Sequence, residues 1–554
     1  MTKHRPWRWI AYGFGGLCIV LALAVFIFIK FYFEDYANNT LVPKLSDAVA
    51  VASHGTYAVK VGRIYFSGTS IFGKAINFYR TRYDTSEHGV VVKRLTIDTV
   101  LFHGIGWWDL LWGKGLHMTS LEINSPKLYT TDADTYVSSG TTTKDTSQGT
   151  AARLPDIVPH IAIDSIVLTN IQLFLPRDSL QTSQATFRSI SLRVQSFLLD
   201  SNSLKKKKPL FFSERVDFNL PHASYSMADS MFSFDVVNLH GNLQDSLLAI
   251  DSFAYKPNYS DDAFAAMHKY NQGRLEFHCT GVALHGLDFP RLLTASGIEF
   301  RKCEATTWKI DFYTDNRKQF DPHPPKAPMP NDLVTSSKLP ISFDSLILNE
   351  GYFTVRSRQK GSVQEGMLYF THARVAASPF STDSTNVNFK KQTQLAFHTY
   401  FVGQGLLTGV ATYPLQQKPF DLDIKATVSG FDAKKLNPWL IPVERMQISD
   451  GVVQNGDISM KIRAGTATTS VTPRYKNLYI KMLAKDPRSS SGILEGIKNL
   501  VANTFVLRSN NVDKPGSTAM TGATSRKRLS TEEFFQFIWL ALRQSLGKVV
   551  GGFK

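Results

Sequence analysis

The chain has 554 residues, 43% hydrophobic and 19% charged, a balance that excludes intrinsic disorder and exceeds what one core can organise. Its formal charge is +16, but the excess is diffuse and forms no basic, aromatic-interleaved stripe, which argues against nucleic acid as a partner. Three cysteines exclude a disulfide framework, while 38 Phe and 20 Tyr favour strands.

The first 33 residues set a topology. Residues 1–9 form a basic tail with Lys3, Arg5 and Arg8, and residues 10–33 read as a transmembrane anchor that includes Cys18. No charge occurs from Ile10 to Ile29, a run long enough for a helix of about 30 Å, the hydrocarbon thickness of a bilayer. The run is too long for a signal-peptide core, and no small-x-small cleavage site follows at Phe31–Tyr36, so it is expected to be retained. Cations precede it and Glu34 and Asp35 follow, which predicts a cytoplasmic N-terminus and an exported bulk.

Residues 34–137 read as a first β segment. Within it Ile105–Gly113, with Trp107, Trp108 and Trp112, reads either as an amphipathic plug toward lipid or as a short helix closing an apolar sheet face; the second reading is preferred. Residues 138–155 form a Ser/Thr-rich linker. Residues 156–320 are a β region with repeated period-two alternation at Val216–Leu220, Phe232–Val236, Leu275–Thr280 and Trp308–Phe312. Such one-sided strands suit antiparallel sheets with a single dry face. In the same region Lys205–Lys208 reads as a solvated loop or a contact for anionic headgroups. Cys279 and Cys303 read equally as a disulfide, in an oxidising compartment, or as two buried thiols.

A Pro-rich connector spans 321–338, and a further β region follows at 339–485, with alternation at Leu422–Val428 and Ile458–Arg463. Residues 486–554 read as a linker and an amphipathic helix. Ser530 and Glu533 suggest its capping box, and Phe534, Phe537, Ile538, Ala541, Leu542, Ser545 and Val549 share one helical face. Four tetrapeptides repeat an apolar-Asp-hydroxyl-apolar form: Ile97–Val100, Ile163–Ile166, Ile250–Phe253 and Phe343–Leu346. They read as strand entries. Phosphate loops, dinucleotide fingerprints, zinc-ligand spacings and the Gly-x-Ser-x-Gly elbow are all missing, so neither catalysis nor a cofactor or metal is expected.

In order along the chain, these features resemble the AsmA-like family of Gram-negative envelope proteins. The basic tail and single anchor come first, then Leu121–Tyr129 with its Ser125-Pro126 step, then Pro159–Asn170 and Leu339–Leu348. Val428–Leu440, Ile448–Val453 and Tyr475–Ile480 complete the match. The resemblance implies a mainly β protein: an inner-membrane anchor, a long curved antiparallel sheet forming an apolar trough, and short helices near both ends of the exported region. It also implies a periplasmic role in lipid transport or outer-membrane lipid homeostasis, with membrane lipids and envelope proteins as partners.

The physical case rests on acyl chains. A two-chain lipid faces a desorption cost of order 20 kcal/mol at about 0.8 kcal/mol per methylene, and a dry sheet face offsets it without any reacting residue. Phe218, Phe232, Phe234, Phe277, Ile310, Ile424 and Met460 are the candidate lipid-facing side chains. The competing readings are a structural or assembly factor built of sealed β-sandwiches, and a membrane-bound enzyme with an unfamiliar site.

Overall fold

The computed structural model describes residues 34–52, 56–67, 70–81, 90–106, 114–132, 160–174, 186–200, 212–227, 230–293, 296–336, 339–414, 420–483 and 508–551, with positions 20 and 109. The expected anchor lies outside them apart from Val20, as do the 138–155 linker, Lys205–Lys208 and the three Trp residues of the 105–113 segment. Among the described residues no helix is long and apolar enough to cross a membrane. The protein is mainly β. It divides into two compact units, residues 1–228 with 238–244 and residues 229–237 with 245–554, so the division falls inside the region 156–320 that alternation alone treats as one stretch.

The first unit opens with helical residues Glu34–Tyr36, a π-helical turn at Ala37–Leu41 and α1, Val42–Ala52. Strands β1 (Tyr57–Lys60) and β2 (Arg63–Ser67) both pair with β3 (Ser70–Arg80). The outer side of β2 is satisfied by the helical segment. Asn38 exchanges two hydrogen bonds with Ile64, each 2.8 Å, and the Phe66 amide donates to the Glu34 carboxylate at 2.7 Å. Side chains thereby occupy backbone groups that would otherwise invite another strand. Next come β4 (Val90–His103), β5 (Leu116–Asn124), β6 (Lys127–Asp132), β7 (His160–Phe174), β8 (Thr186–Asp200) and β9 (Arg215–Ser226). Strand β10 (Phe232–Asn242) gives its last residues, from Asn238, to this unit and its first to the other.

The second unit continues through β11 (Leu247–Pro257), α2 (Asp261–Met267), β12 (Arg274–His285), α3 (Phe289–Leu293), β13 (Ile298–Ala305), β14 (Thr307–Asp315) and α4 (Pro330–Ser336). Then follow β15 (Ile341–Arg358), β16 (Gly366–Ser378), β17 (Phe380–Ser381), β18 (Thr393–Phe401), β19 (Gly405–Tyr413), β20 (Leu422–Asp432), β21 (Met446–Arg463), β22 (Thr466–Met482) and β23 (Gly522–Lys527). Helix α5, Phe534–Val550, ends the described chain.

The antiparallel expectation needs correction. Strands β5 and β6 run parallel to β7, and β13 and β14 run parallel to β15. Parallel neighbours need a long crossover, whereas antiparallel ones accept a tight turn. The parallel pairings call for a crossover between Asp132 and His160 and another between Asp315 and Ile341; the 138–155 linker lies in the first interval, outside the described residues, and the 321–338 connector in the second.

One module therefore occurs twice. A long strand (β4 or β12) pairs with two shorter strands in series (β5 and β6, or β13 and β14), and after a crossover a parallel strand (β7 or β15) covers both. Sequence echoes it: His103-Gly104 and His285-Gly286 end the long strands, and Leu110-Leu111 and Leu292-Leu293 stand seven and eight positions beyond the His in each copy. The extended tetrapeptide matches at Ile163 and Phe343 lie near the start of the parallel strand of their module and Ile250–Phe253 begins in the first half of β11, whereas Ile97–Val100 falls in the second half of β4, so the reading as strand entries does not hold for that copy.

Candidate functional site: an apolar sheet face in each unit

Register places apolar side chains in rows that cross the strands. In the first unit, Ile64, Gly73, Val100, Ile123, Leu168, Leu192 and Phe218 are successive partners from β2 to β9. A neighbouring row contains Phe66, Ile71, Phe102, Leu121, Ile166, Val194 and Val216. Phe218, a predicted lipid-facing residue, ends the first row and is half-buried.

The second unit repeats the arrangement with more aromatic surface. Tyr255, Phe277, Ile310, Phe353, Phe370 and Phe401 are partners in turn. Ring centroids lie 5.6 Å apart for Phe353 and Phe370 and 5.3 Å for Phe370 and Phe401, within the range of favourable aromatic pairs. Phe234 extends the surface toward Phe253 and Tyr255, and Phe232 stacks on Tyr255 at 4.8 Å. A longer row runs through Leu248, Leu284, Cys303, Leu346, Ala377, Leu395, Ala411, Ile424 and Met460, from β11 to β21. The buried cluster of Cys279, Trp308 and Ala373, with Phe253, Phe277, Ile310 and Phe353 packed against it, draws only on neighbouring strands. Among the described residues, interdigitation with a facing sheet, the mark of a sandwich core, is absent from this cluster.

Phe277 and Ile310 are direct partners, and so are Ile424 and Met460; Phe232 and Phe234 join the aromatic group. Most predicted positions are half-buried. Met460 differs: it is 1% exposed beneath α5, where Phe537 and Ala541 pack on Leu422, Ile462 and Ala467. A docked α5 leaves no acyl-accessible surface there. Tyr255, Phe353, Phe370 and Phe401 were not anticipated. For Phe353 and Phe370 the reason is that positive-φ residues interrupt their strands, Glu350 in β15 and His372 in β16, each beside a register shift that resets the alternation.

Cys279 and Cys303 are both free and buried, which settles the disulfide question against pairing. Cys279 stands opposite Phe253 and Trp308, and Cys303 opposite Leu284 and Leu346, so each belongs to a different row position. Burial pushes both thiols up, Cys303 to about 11, and keeps them unreactive.

Polar groups at one end of the second unit are paired with one another. Arg356 binds Asp311 at 2.6 Å, Asp261 at 2.7 Å and Glu365 at 3.2 Å, and Arg274 binds Asp261 at 3.1 Å. These contacts fasten α2 to the strands and leave no free carboxylate among them for acid–base work. Among the described residues no cluster of His, Cys, Asp and Glu is arranged to hold a metal.

No family model matches this chain, and no curated protein is similar to it.

Proposed function

We propose that this protein shields or conducts lipid acyl chains on its apolar sheet faces, as an inner-membrane-anchored periplasmic protein of AsmA-like character. The half-buried aromatic row from Tyr255 to Phe401 carries the reading, because its register partners come from its own sheet and among the described residues it is only partly covered, with α2 Phe264 packing on Phe232 at the Tyr255 end. A contiguous apolar surface of this kind on a folded protein marks a binding surface. Hydrocarbon laid along it trades water for Phe and Ile side chains, at about 25 cal/mol per Å² removed from water. The sheet is passive in this account, and direction and energy come from outside it.

The test uses full-length protein and a photoactivatable fatty-acyl phospholipid. Phe277→Glu and Phe353→Glu put carboxylates into the row, and crosslinking to the strands should fall about tenfold or more, the cost of desolvating an unpaired charge. Circular dichroism and thermal melting check that the variants fold. Undiminished crosslinking in folded variants rejects the acyl-binding reading and favours a non-catalytic scaffold of the cell envelope.

A further inference from the structure

The opposite face of the second-unit sheet carries a groove of about 840 Å³ across β16, β18, β19, β20, β21 and β22. That volume lies within the range of small-molecule sites, about 300–1,000 Å³. Five strand spacings give it a length of about 24 Å. Its floor is a row of register partners, Arg374, His398, Thr408, Thr427, Asp457 and Thr472. The adjoining row sets Ala376, Ala396 and Val410 beside Lys425. Short side chains sink the floor, and long cationic ones rise from it.

The charge is unbalanced. Arg374, His398 and Lys425 are exposed and make no hydrogen bond or ion pair among the described residues. The acid of the groove, Asp457, is occupied by Arg474 at 2.7 Å. Between them the Thr408 and Thr427 hydroxyls bond each other at 3.0 Å, a pair that keeps lone pairs and a proton for a ligand.

We infer that this groove binds an acidic oligosaccharide, with Arg374 and Lys425 taking its carboxylates and the threonine hydroxyls meeting its sugar hydroxyls. A peptide strand would need free backbone groups, and here those groups are spent on ladders to neighbours on both sides. A single-stranded nucleic acid would need a series of aromatic platforms, and His398 is the one exposed ring among the lining residues. The unpartnered Arg374 and Lys425, with threonine and serine hydroxyls set among alanines and Val410, match a chain that carries acids, alcohols and the apolar C–H faces of sugar rings.

Isothermal titration calorimetry of the full chain at low salt tests this with tetragalacturonate, maltotetraose and inorganic phosphate. Tetragalacturonate should bind, with maltotetraose and phosphate each weaker by about tenfold or more. Arg374→Gln and Lys425→Gln should each cost about tenfold, the size of one lost charge-assisted hydrogen bond. Thr408→Trp, which fills the floor without changing charge, should abolish binding. No heat with tetragalacturonate, equal binding by the charge variants, or equal affinity for phosphate overturns the proposal. Because the groove and the apolar rows occupy opposite faces, Phe277→Glu should leave tetragalacturonate binding intact, so this proposal and the acyl reading fail separately.

Discussion

Close packing at single positions decides whether the aromatic face forms. Trp308 lies over Gly351 on the neighbouring strand, and a Cβ at position 351 would stand 2.1 Å from the indole. No side chain fits there unless the indole moves. Among the described residues the Trp308 Nε1 hydrogen has no partner, so packing places the ring. Gly351→Ala should therefore destabilise the second unit by about 1–3 kcal/mol, the usual cost of overpacking. A urea midpoint lowered at constant slope reports that loss, and an unchanged midpoint would mean that the indole slides away freely.

At the scale of elements, α5 shows how a helix is fixed by partners at several heights. Phe537, Ala541, Ser545 and Val549 form its buried face, as the spacing predicted, and Ser545 exchanges a 2.6 Å hydrogen bond with Thr524. Its start differs from the predicted capping box. Glu533 is the N-cap and makes no side-chain cap bond, while the neighbouring Glu532 is drawn to Arg526. On the far side Arg543 reaches Glu444 at 2.8 Å, but burial outweighs that contact and pushes the Glu444 carboxyl up. A carboxyl raised in the folded state favours its protonated form there. Its contribution is full below the ordinary glutamate range and falls as pH rises through the raised value. Docking of α5 should accordingly weaken as pH rises from about 4, and Glu444→Gln should flatten that dependence. Hydrogen-exchange protection of α5 amides across pH measures it; an identical slope in the variant would assign the effect to another group. The same contrast explains what the sequence made legible. Alternation revealed strands and their dry face because burial acts residue by residue. It is blind to strand direction, which the crossovers decide, and to bulges such as Glu350 and His372, which concealed Phe353 and Phe370.

For the molecule as a whole, the duplicated module makes connector length a stability determinant. Residues 298–315 form β13 and β14, and parallel pairing sets Ile341 beside Ile298 and Arg358 beside Asp315. The chain leaving Asp315 must therefore return along about 18 residues of strand, roughly 60 Å. Residues 316–340 make that journey, and seven of them form α4, worth about 10 Å of axial length. The remaining 18 or so reach about 60 Å fully extended, for a total near 70 Å. The connector is nearly taut, and it is also pinned: Met329 is buried under α5, and the Ala327 carbonyl accepts from Arg528 at 2.6 Å. Deleting Asp321–Pro325 cuts the reach to about 54 Å, too short unless α4 unwinds or β15 leaves the sheet. Inserting five Gly/Ser residues at the same place adds only about 0.2 kcal/mol of loop-closure cost. Hydrogen exchange should show β15 amides unprotected in the deletion and unaltered in the insertion. A deletion variant with native β15 protection would mean that the crossover takes a shorter path than the strand pairing requires.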